Sequence, residues 1–175
     1  IFAHQDETDY LILNADDAYL APLADRARSQ VIFFSQQHIL KEGVFLRGDS
    51  VIFSRGGVET SICQRAEIAI KGAHNLENAM AAIAAAMLMG VTPDRIRQVL
   101  WDFAGVEHRL EPVRRWLGVL FINDSKGTNP DSTIKALEAY DEPLILIAGG
   151  KNKGSDFTAL AQLIAKRVKQ VILIG

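Results

Sequence analysis

The second part of the chain alternates short apolar runs with helix-like segments, and this alternation limits the folds open to it. Two strand-like segments, 110–116 and the apolar 119–122, are separated by a short turn. A helical segment, an apolar run, a second helical segment and a last apolar run follow, at 132–140, 144–148, 157–169 and 171–174. Because strands separated by helices pair in parallel, the pattern predicts an α/β fold with a doubly wound, mostly parallel sheet.

The first part of the chain contains more predicted strands than helices. Strands are predicted at 10–13, 31–34, 43–46, 50–53 and 58–63. Helices are predicted at 18–28, 75–89 and 94–103. The tripeptide Arg47-Gly48-Asp49 separates two of the strands, which predicts a hairpin turn rather than an integrin ligand. Residues 105–109 have no clear period, so we interpret them as a linker between two domains.

Composition excludes several classes of protein. The 175 residues are 49% hydrophobic and 23% charged, as in a globular protein with a core. The net charge of −2 and the absence of a basic run disfavour a nucleic-acid partner. The single Cys63 excludes an internal disulfide, and the longest apolar stretch, 79–89, is too short to span a bilayer. With no signal peptide visible, we expect a cytoplasmic protein.

The ends of the chain are unusual for a complete protein. The sequence begins at Ile1 without a methionine, and it finishes on the apolar run 171–174 followed by Gly175. A strand at that place would leave an exposed apolar sheet edge. We therefore expect the chain to be an interior segment of a longer protein.

The segment between 119–122 and the helix that starts near Pro130 carries a polar cluster. Asp124, Lys126 and Thr128 supply a carboxylate, an ammonium and a hydroxyl at alternate positions. A strand-to-helix turn presents backbone N–H groups and the positive end of a helix dipole, which favours anionic ligands. A second interpretation stays open, because Asp, Ser, Asn and Pro are also ordinary turn and cap residues.

The start of the predicted helix 75–89 offers two amides. Asn75 and Asn78 are three residues apart, which places them on one helix face. Paired amides can read the donor and acceptor edge of a purine. Alternatively, Asn75 only caps the helix.

Three further patterns have both a ligand-binding and a structural interpretation. Arg109, in the linker, can clamp a phosphate or ribose at a domain boundary, or it can be a surface charge. The run 149–154, Gly-Gly-Lys-Asn-Lys-Gly, follows a strand and can approach an anion, although it lacks the Walker A ending, or it is a flexible basic loop. Asp16 and Asp17 can bind Mg²⁺ or cap a helix.

Taken in order, these motifs resemble one family. The motifs are Leu-Asn-Ala-Asp-Asp at 13–17, Gly-x-His-Asn-x-x-Asn-Ala at 72–79, Gly-Val-Glu-His-Arg-Leu-Glu at 105–111, Asp-Ser-Lys-Gly-Thr-Asn at 124–129 and the run at 149–154. The series is similar to the Mur ligases of peptidoglycan synthesis, over essentially the whole chain. Within that family it most resembles the members that add D-glutamate.

The resemblance implies a fold and a set of roles. Residues 1–106 would be the back half of a central ATPase domain, and 107–175 would begin a Rossmann-like C-terminal domain with a mostly parallel sheet. In nucleotide binding, Asn75 and Asn78 would contact the adenine. Arg109 and Asp124 would contact the ribose and phosphates. Thr128 and Lys153 would hold the carboxylates of D-glutamate, and the catalytic Lys126 would lie near the transferred phosphate.

The resemblance also implies a reaction. ATP would phosphorylate the carboxylate of UDP-N-acetylmuramoyl-L-alanine, and the amine of D-glutamate would attack the acyl phosphate. Family members work as cytoplasmic monomers with Mg²⁺, and their P-loop, metal ligands, uridine-nucleotide domain and late C-terminal residues are not among these 175 residues. We therefore expect this segment alone to be inactive.

Three alternatives stay open. A folylpolyglutamate synthetase shares the architecture and also adds glutamate, but the Glu-His-Arg and Asp-Ser-Lys-Gly-Thr-Asn motifs argue against it. A non-catalytic nucleotide-binding module would need the fingerprint Gly-x-Gly-x-x-Gly, which is absent. A structural interaction domain could dock through Met80, Met87 and Met89, although methionines at helical spacing more often belong to a core.

Overall fold

The computed structural model describes residues 2–151 and 154–174. The chain divides into two compact units, 1–104 and 105–175. Each unit contains both strands and helices, so the predicted α/β class is confirmed. The assignment of 1–106 and 107–175 to two functional domains stays a prediction.

The first unit is built on a five-stranded sheet. Its strands are β1 (Tyr10–Asn14), β2 (Gln30–Ser35), β3 (Gly43–Arg47), β4 (Ser50–Arg55) and β5 (Val58–Gln64). They lie side by side in chain order; β1, β2 and β3 are parallel, whereas β3, β4 and β5 are antiparallel. The sheet of this unit is therefore mixed rather than uniformly doubly wound, because two consecutive hairpins reverse the chain without a helix between strands.

The predicted turn at the Arg-Gly-Asp tripeptide is confirmed. Gly48 has φ of +60°, a left-handed conformation that glycine adopts readily between paired strands. Arg47 pairs across the sheet with Glu59, with guanidinium-to-carboxylate distances of 2.6 and 2.8 Å. The tripeptide thus closes the β3–β4 hairpin, and its arginine belongs to a surface ion pair.

The helix predicted at 18–28 is wrong. A short 3-10 helix, Ala21–Arg26, occupies part of this stretch. Two local features explain the difference. The Asp17 carboxylate accepts from the backbone N–H groups of Tyr19 and Leu20, which holds a turn instead of a helix. In a helix over 18–28, Pro22 would lie beyond the first turn, where its missing N–H removes the bond to the Ala18 carbonyl and its ring clashes with that carbonyl.

Two α-helices pack on the sheet of the first unit. They are α1 (Ala73–Leu88) and α2 (Pro93–Asp102). Helix α1 buries one face, with Leu76, Ala79, Met80, Ile83 and Ala84 at 4% exposure or less. That spacing of three and four residues is the apolar stripe of an amphipathic helix. Helix α2 begins with Thr92 at the N-cap position and a proline in its first turn, as the sequence predicts.

The three methionines of α1 and its C-cap do not form a docking face. Met80 is fully buried in the core, Met87 is half-buried against the same core, and Met89 is 82% exposed. Only one of the three is therefore open to a partner, which removes the support for the structural-interaction alternative.

The second unit contains a hairpin and a strand–helix–strand unit. The hairpin consists of β6 (Glu111–Trp116) and β7 (Val119–Asn123), and it is followed by α3 (Pro130–Glu138). Then come β8 (Leu144–Gly149), α4 (Thr158–Arg167) and β9 (Val168–Ile174), with β8 and β9 parallel. Leu137 of α3 and Leu160 of α4 are buried where the two helices pack. No helix in the described residues is both long enough and apolar enough to cross a membrane.

Cys63 offers a test of the first unit's core. Its side chain lies on β5 at 1% exposure, and burial raises the pKa of the thiol from 9.0 to about 11. We expect the folded protein to react with a thiol reagent at about pH 8 far more slowly than the unfolded protein, since the thiolate is the reactive form. Fast labelling of the folded protein would contradict this placement.

The same thiol makes stability depend on pH. In the unfolded chain it ionises near its ordinary pKa of 9.0, whereas in the folded chain it stays neutral up to about 11. The stabilisation is therefore complete below 9.0 and is lost as pH rises through the folded pKa of about 11. Denaturant melts across this range should lose part of their pH dependence in Cys63→Ala.

Candidate functional site

The start of α1 differs from the prediction by two residues. Gly72 occupies the N-cap position with φ of +101°, and the helix begins at Ala73. Asn75 is therefore inside the first turn, so the interpretation of this residue as the N-cap is wrong. Its side chain is 8% exposed, and its Nδ2 donates to the carbonyl of Lys71 at 2.7 Å. This bond ties the helix to the preceding loop.

Asn78 lies one turn further along α1 and is exposed. The hydrogen bond of Asn75 to the loop means that the two amides have different surroundings, although both belong to the same end of the helix. The exposed amide of Asn78 can still bind a planar ligand, although the neighbouring amide of Asn75 is buried and bonded. The predicted adenine contacts of both residues remain to be tested.

The carboxyl ends of β1 and β2 meet at this end of α1. Asp16, after β1, accepts hydrogen bonds from the Ser35 hydroxyl and the Gln36 backbone N–H. The Gln36 amide then donates to the carbonyl of Ala73 at 3.1 Å and to Oε1 of Glu77 at 3.2 Å. Loops at the carboxyl ends of parallel strands are where α/β proteins hold ligands. Sequence reasoning missed Gln36, although its place two residues after the predicted strand 31–34 was an available signal.

The two aspartates of the first motif have separate tasks. Asp16 holds the β1 and β2 ends together, and Asp17 caps the turn at Tyr19 and Leu20. The helix-capping interpretation is therefore wrong for both residues, because Asp17 holds a turn and the 3-10 helix that follows has Leu20 at its N-cap position without a side-chain bond. Within the described ranges, no group of three or more His, Cys, Asp or Glu side chains is arranged to hold a metal ion.

In the second unit, the turn after β7 confirms the turn and cap interpretation, whereas the ligand-binding interpretation stays a prediction. Asn123 Oδ1 accepts from Ser125 N at 3.1 Å, and Asn129 Oδ1 caps α3 by accepting from Ser132 N at 2.8 Å. Asn123 therefore stabilises the turn, and Asn129 caps the helix. Lys126 and Thr128, between them, are exposed and stay available for a ligand.

The Glu-His-Arg segment folds against this turn. Leu110 N donates to Oδ1 of Asp124 at 3.0 Å, and Lys126 N donates to the carbonyl of His108, also at 3.0 Å. Arg109 is exposed between these two anchored residues. The structure therefore brings together the segments that carry the predicted nucleotide-binding Arg109 and Asp124 and the predicted catalytic Lys126.

The anchored segment has an unusual backbone. His108 has φ of +66° and Leu110 has φ of +47°, and both are non-glycine residues in the left-handed region. Each such residue costs about 1–2 kcal/mol relative to a right-handed conformation. Strain of this kind persists where surrounding contacts over-determine it, and it is concentrated at binding and active sites.

Side chains support the same conformation. Glu111 Oε2 accepts from His108 N at 2.9 Å, and Asn123 Nδ2 lies 2.9 Å from His108 Nδ1 and 3.3 Å from Glu111 Oε2. Sequence reasoning assigned no role to Asn123. Its position at the last residue of β7 is a weak signal, because many strands end in asparagine.

Negative charge is concentrated near the turn. Burial raises the pKa of the Tyr140 phenol, and the charges of Asp124 and Glu142 raise it further. Tyr140 therefore stays neutral well beyond physiological pH. The Asp124 carboxylate accordingly lies close enough to the phenol to disfavour its ionisation.

The glycine-rich run is only partly described. Lys151 is exposed, whereas Lys153, a predicted ligand for D-glutamate, and Asn152 lie outside the described residues. A Cβ on Gly149 would stand 1.9 Å from the carbonyl oxygen of Ile174. The absence of a side chain at this position therefore serves the close pairing of β8 and β9.

Comparison with known proteins gives two family matches. The family model described as Mur ligase middle domain matches residues 1–86. The family model described as Mur ligase, glutamate ligase domain, matches residues 108–175. Between them they leave only the segment around α2 and the linker unmatched.

Curated relatives match over the whole chain. A protein of Desulfitobacterium hafniense (strain Y51) named UDP-N-acetylmuramoylalanine–D-glutamate ligase is 51% identical over all 175 residues, which span 38% of that relative. A protein of the same name from Pelotomaculum thermopropionicum is 49% identical, with the same coverage. Among solved structures, MurF from Acinetobacter baumannii superposes with a TM-score of 0.73 at 21% identity, over 99% of this chain and 40% of that one.

Proposed function

The chain belongs to the Mur ligase family, and we propose that the whole protein is the ATP-dependent ligase that joins D-glutamate to UDP-N-acetylmuramoyl-L-alanine. The chain spans 38% of the relatives that bear this name, so the activity is proposed for the longer protein. The observation that carries the proposal is the double anchoring of the Arg109 segment on the Asp124–Lys126 turn. This anchoring places the segments that carry the Arg109 guanidinium, the Asp124 carboxylate and the Lys126 ammonium next to each other in the second unit.

The nucleotide roles follow from the chemistry of these groups. The guanidinium of Arg109 offers several fixed N–H donors, which suit phosphate oxygens. Asp124 keeps carboxylate acceptor capacity beyond its bond to Leu110 N, and ribose hydroxyls are donors. Asn75 and Asn78, in the first unit, are proposed to meet the adenine, whose edge carries both donors and acceptors.

Ligation proceeds in two steps in this proposal. The substrate carboxylate attacks the γ-phosphorus of ATP, which forms an acyl phosphate and releases ADP. The amine of D-glutamate then attacks the acyl carbon, so that the amide bond forms and phosphate leaves. The Lys126 ammonium offsets negative charge on the phosphoryl oxygens during transfer. Thr128 and Lys153 are proposed to bind the carboxylates of D-glutamate.

Magnesium is expected for phosphoryl transfer in this family, but the described residues do not fit it. They include no cluster of carboxylates or histidines suited to a metal ion. The metal ligands are therefore proposed to lie outside these residues. We also propose that the enzyme is cytoplasmic, because ATP and nucleotide-activated substrates are found in the cytoplasm. A monomer is proposed from the family resemblance.

A competition experiment tests the proposed function. The full-length protein, with Mg²⁺, ATP and UDP-N-acetylmuramoyl-L-alanine, should release ADP and phosphate when D-glutamate is added and show little release with L-glutamate. A site that pairs each substrate group discriminates strongly against a mismatched stereoisomer, by about 10²-fold or more. ADP release that requires L-glutamate and a folate would instead identify a folylpolyglutamate synthetase, and ATP binding without turnover would identify a nucleotide-binding module.

A further inference from the structure

We propose that Asn123 and Glu111 are positioning residues, which hold Arg109 in the geometry required for nucleotide binding. Neither residue has a predicted contact with ATP. The inference rests on the proposed function, since it assigns the two residues to the nucleotide site of that reaction.

The hairpin register brings the two residues together. Glu111 is the first residue of β6 and Asn123 is the last residue of β7, and they are direct partners in the antiparallel ladder. They therefore stand at the open end of the hairpin. One strand continues from there to Arg109 and the other to Asp124, so a contact at this point controls how far apart the two segments lie.

Both side chains converge on His108. One carboxylate oxygen, Oε2 of Glu111, accepts from His108 N at 2.9 Å and from Asn123 Nδ2 at 3.3 Å. Asn123 Nδ2 also lies 2.9 Å from His108 Nδ1. Because an amide nitrogen has two hydrogens, Asn123 can serve both acceptors when the histidine Nδ1 carries no proton.

These contacts explain how the left-handed residues around Arg109 are held. His108, on one side, is bonded through its N–H to Glu111 and through its carbonyl to Lys126 N. Leu110, on the other side, is bonded through its N–H to Asp124. Arg109 itself has only a backbone bond to Val106 within the described residues, so its orientation depends on its two neighbours.

The substitution Asn123→Asp isolates this role. An aspartate has nearly the same size and keeps the acceptor for Ser125 N. It cannot donate to Glu111 or to an unprotonated Nδ1 of His108, and it places a second carboxylate against Glu111. The turn should therefore form while the link to the Arg109 segment is lost. The added change Glu111→Gln removes the like-charge contact and supplies a donor, so the double variant should recover part of the loss.

The test uses the full-length protein and measures ATP binding directly by calorimetry, together with KM for ATP and kcat. We expect Asn123→Asp to raise the Kd and KM for ATP about 10- to 100-fold, because a small displacement of a binding group has a large effect. The melting temperature should stay close to that of the wild type. Arg114→Ala, an exposed arginine on β6, is the matched control and should bind ATP normally.

A double-mutant cycle distinguishes positioning from a general structural effect. If Asn123 acts through Arg109, Asn123→Asp should weaken ATP binding less than about twofold in the Arg109→Ala background. An equal loss in both backgrounds, or an unchanged Kd in the single variant, overturns the inference. If the wild type binds ATP but shows no D-glutamate-dependent turnover, the proposed function fails. The Kd values of the double-mutant cycle still test the positioning role of Asn123 in that case. If the wild type does not bind ATP, both fail.

Discussion

Replacing Lys126 by alanine is expected to lower kcat of the full-length ligase about 10²- to 10³-fold, with a much smaller change in KM for ATP. This is the size of effect seen when one group that stabilises transition-state charge is removed. The substitution should leave the fold of the turn unchanged, because the turn is held by the Lys126 backbone N–H, which alanine retains. Within the described part of the chain, the ammonium has no hydrogen bond or ion pair, and the side chain is exposed.

The measurement is ADP release at saturating ATP, UDP-N-acetylmuramoyl-L-alanine and D-glutamate. Lys166→Ala is a matched control, since this lysine is also exposed but belongs to the last turn of α4 and not to the turn after β7. The control should keep full activity. A Lys126→Ala variant with kcat within about threefold of the wild type would remove Lys126 from the catalytic group.

Gly43→Ala is expected to be the most destabilising single-methyl change in the first unit. Gly43 begins β3 with φ of +124°, and a Cβ there would lie 2.1 Å from the carbonyl oxygen of Phe33 in β2. Both strands are buried and paired at this point, so neither backbone can move without breaking the sheet. Overpacking and a strained dihedral together should cost about 3 kcal/mol or more.

Thermal or urea unfolding measures this loss, and Gly48→Ala is the matched control. Gly48 also has a positive φ, but a Cβ added there meets nothing within 4 Å. The control should cost only about 1 kcal/mol, the strain of a left-handed alanine. Equal losses in the two variants would show that the close approach of β2 at Gly43 does not limit stability.

Most of the secondary structure could be predicted from local pattern. The strands β1 to β5 and the helices α1 and α2 fall within a few residues of the predicted positions, because apolar periods of two and of three to four residues are properties of short segments. The helix at 18–28 failed for an equally local reason. Asp17 favours a turn there, and Pro22 cannot donate a helical hydrogen bond.

The site was less accessible to such reasoning. The order of motifs indicated Arg109, Asp124 and Lys126, and the structure brings their segments together, yet their roles remain proposals. Asn123 and Gln36 were missed. Each is a polar residue at or just beyond the end of a strand, and its partners lie at distant positions: His108 and Glu111 for Asn123, Ala73 and Glu77 for Gln36.

The sequence by itself determined the α/β class, the positions of most strands and helices, and the family, because local periodicity and motif order do not depend on how the elements pack. Only the tertiary structure decided that the first sheet is mixed and that Asp16 joins two strands. It also decided that Glu111 faces Asn123. Such contacts depend on the register between strands, and shifting a register by one residue turns every side chain to the opposite face.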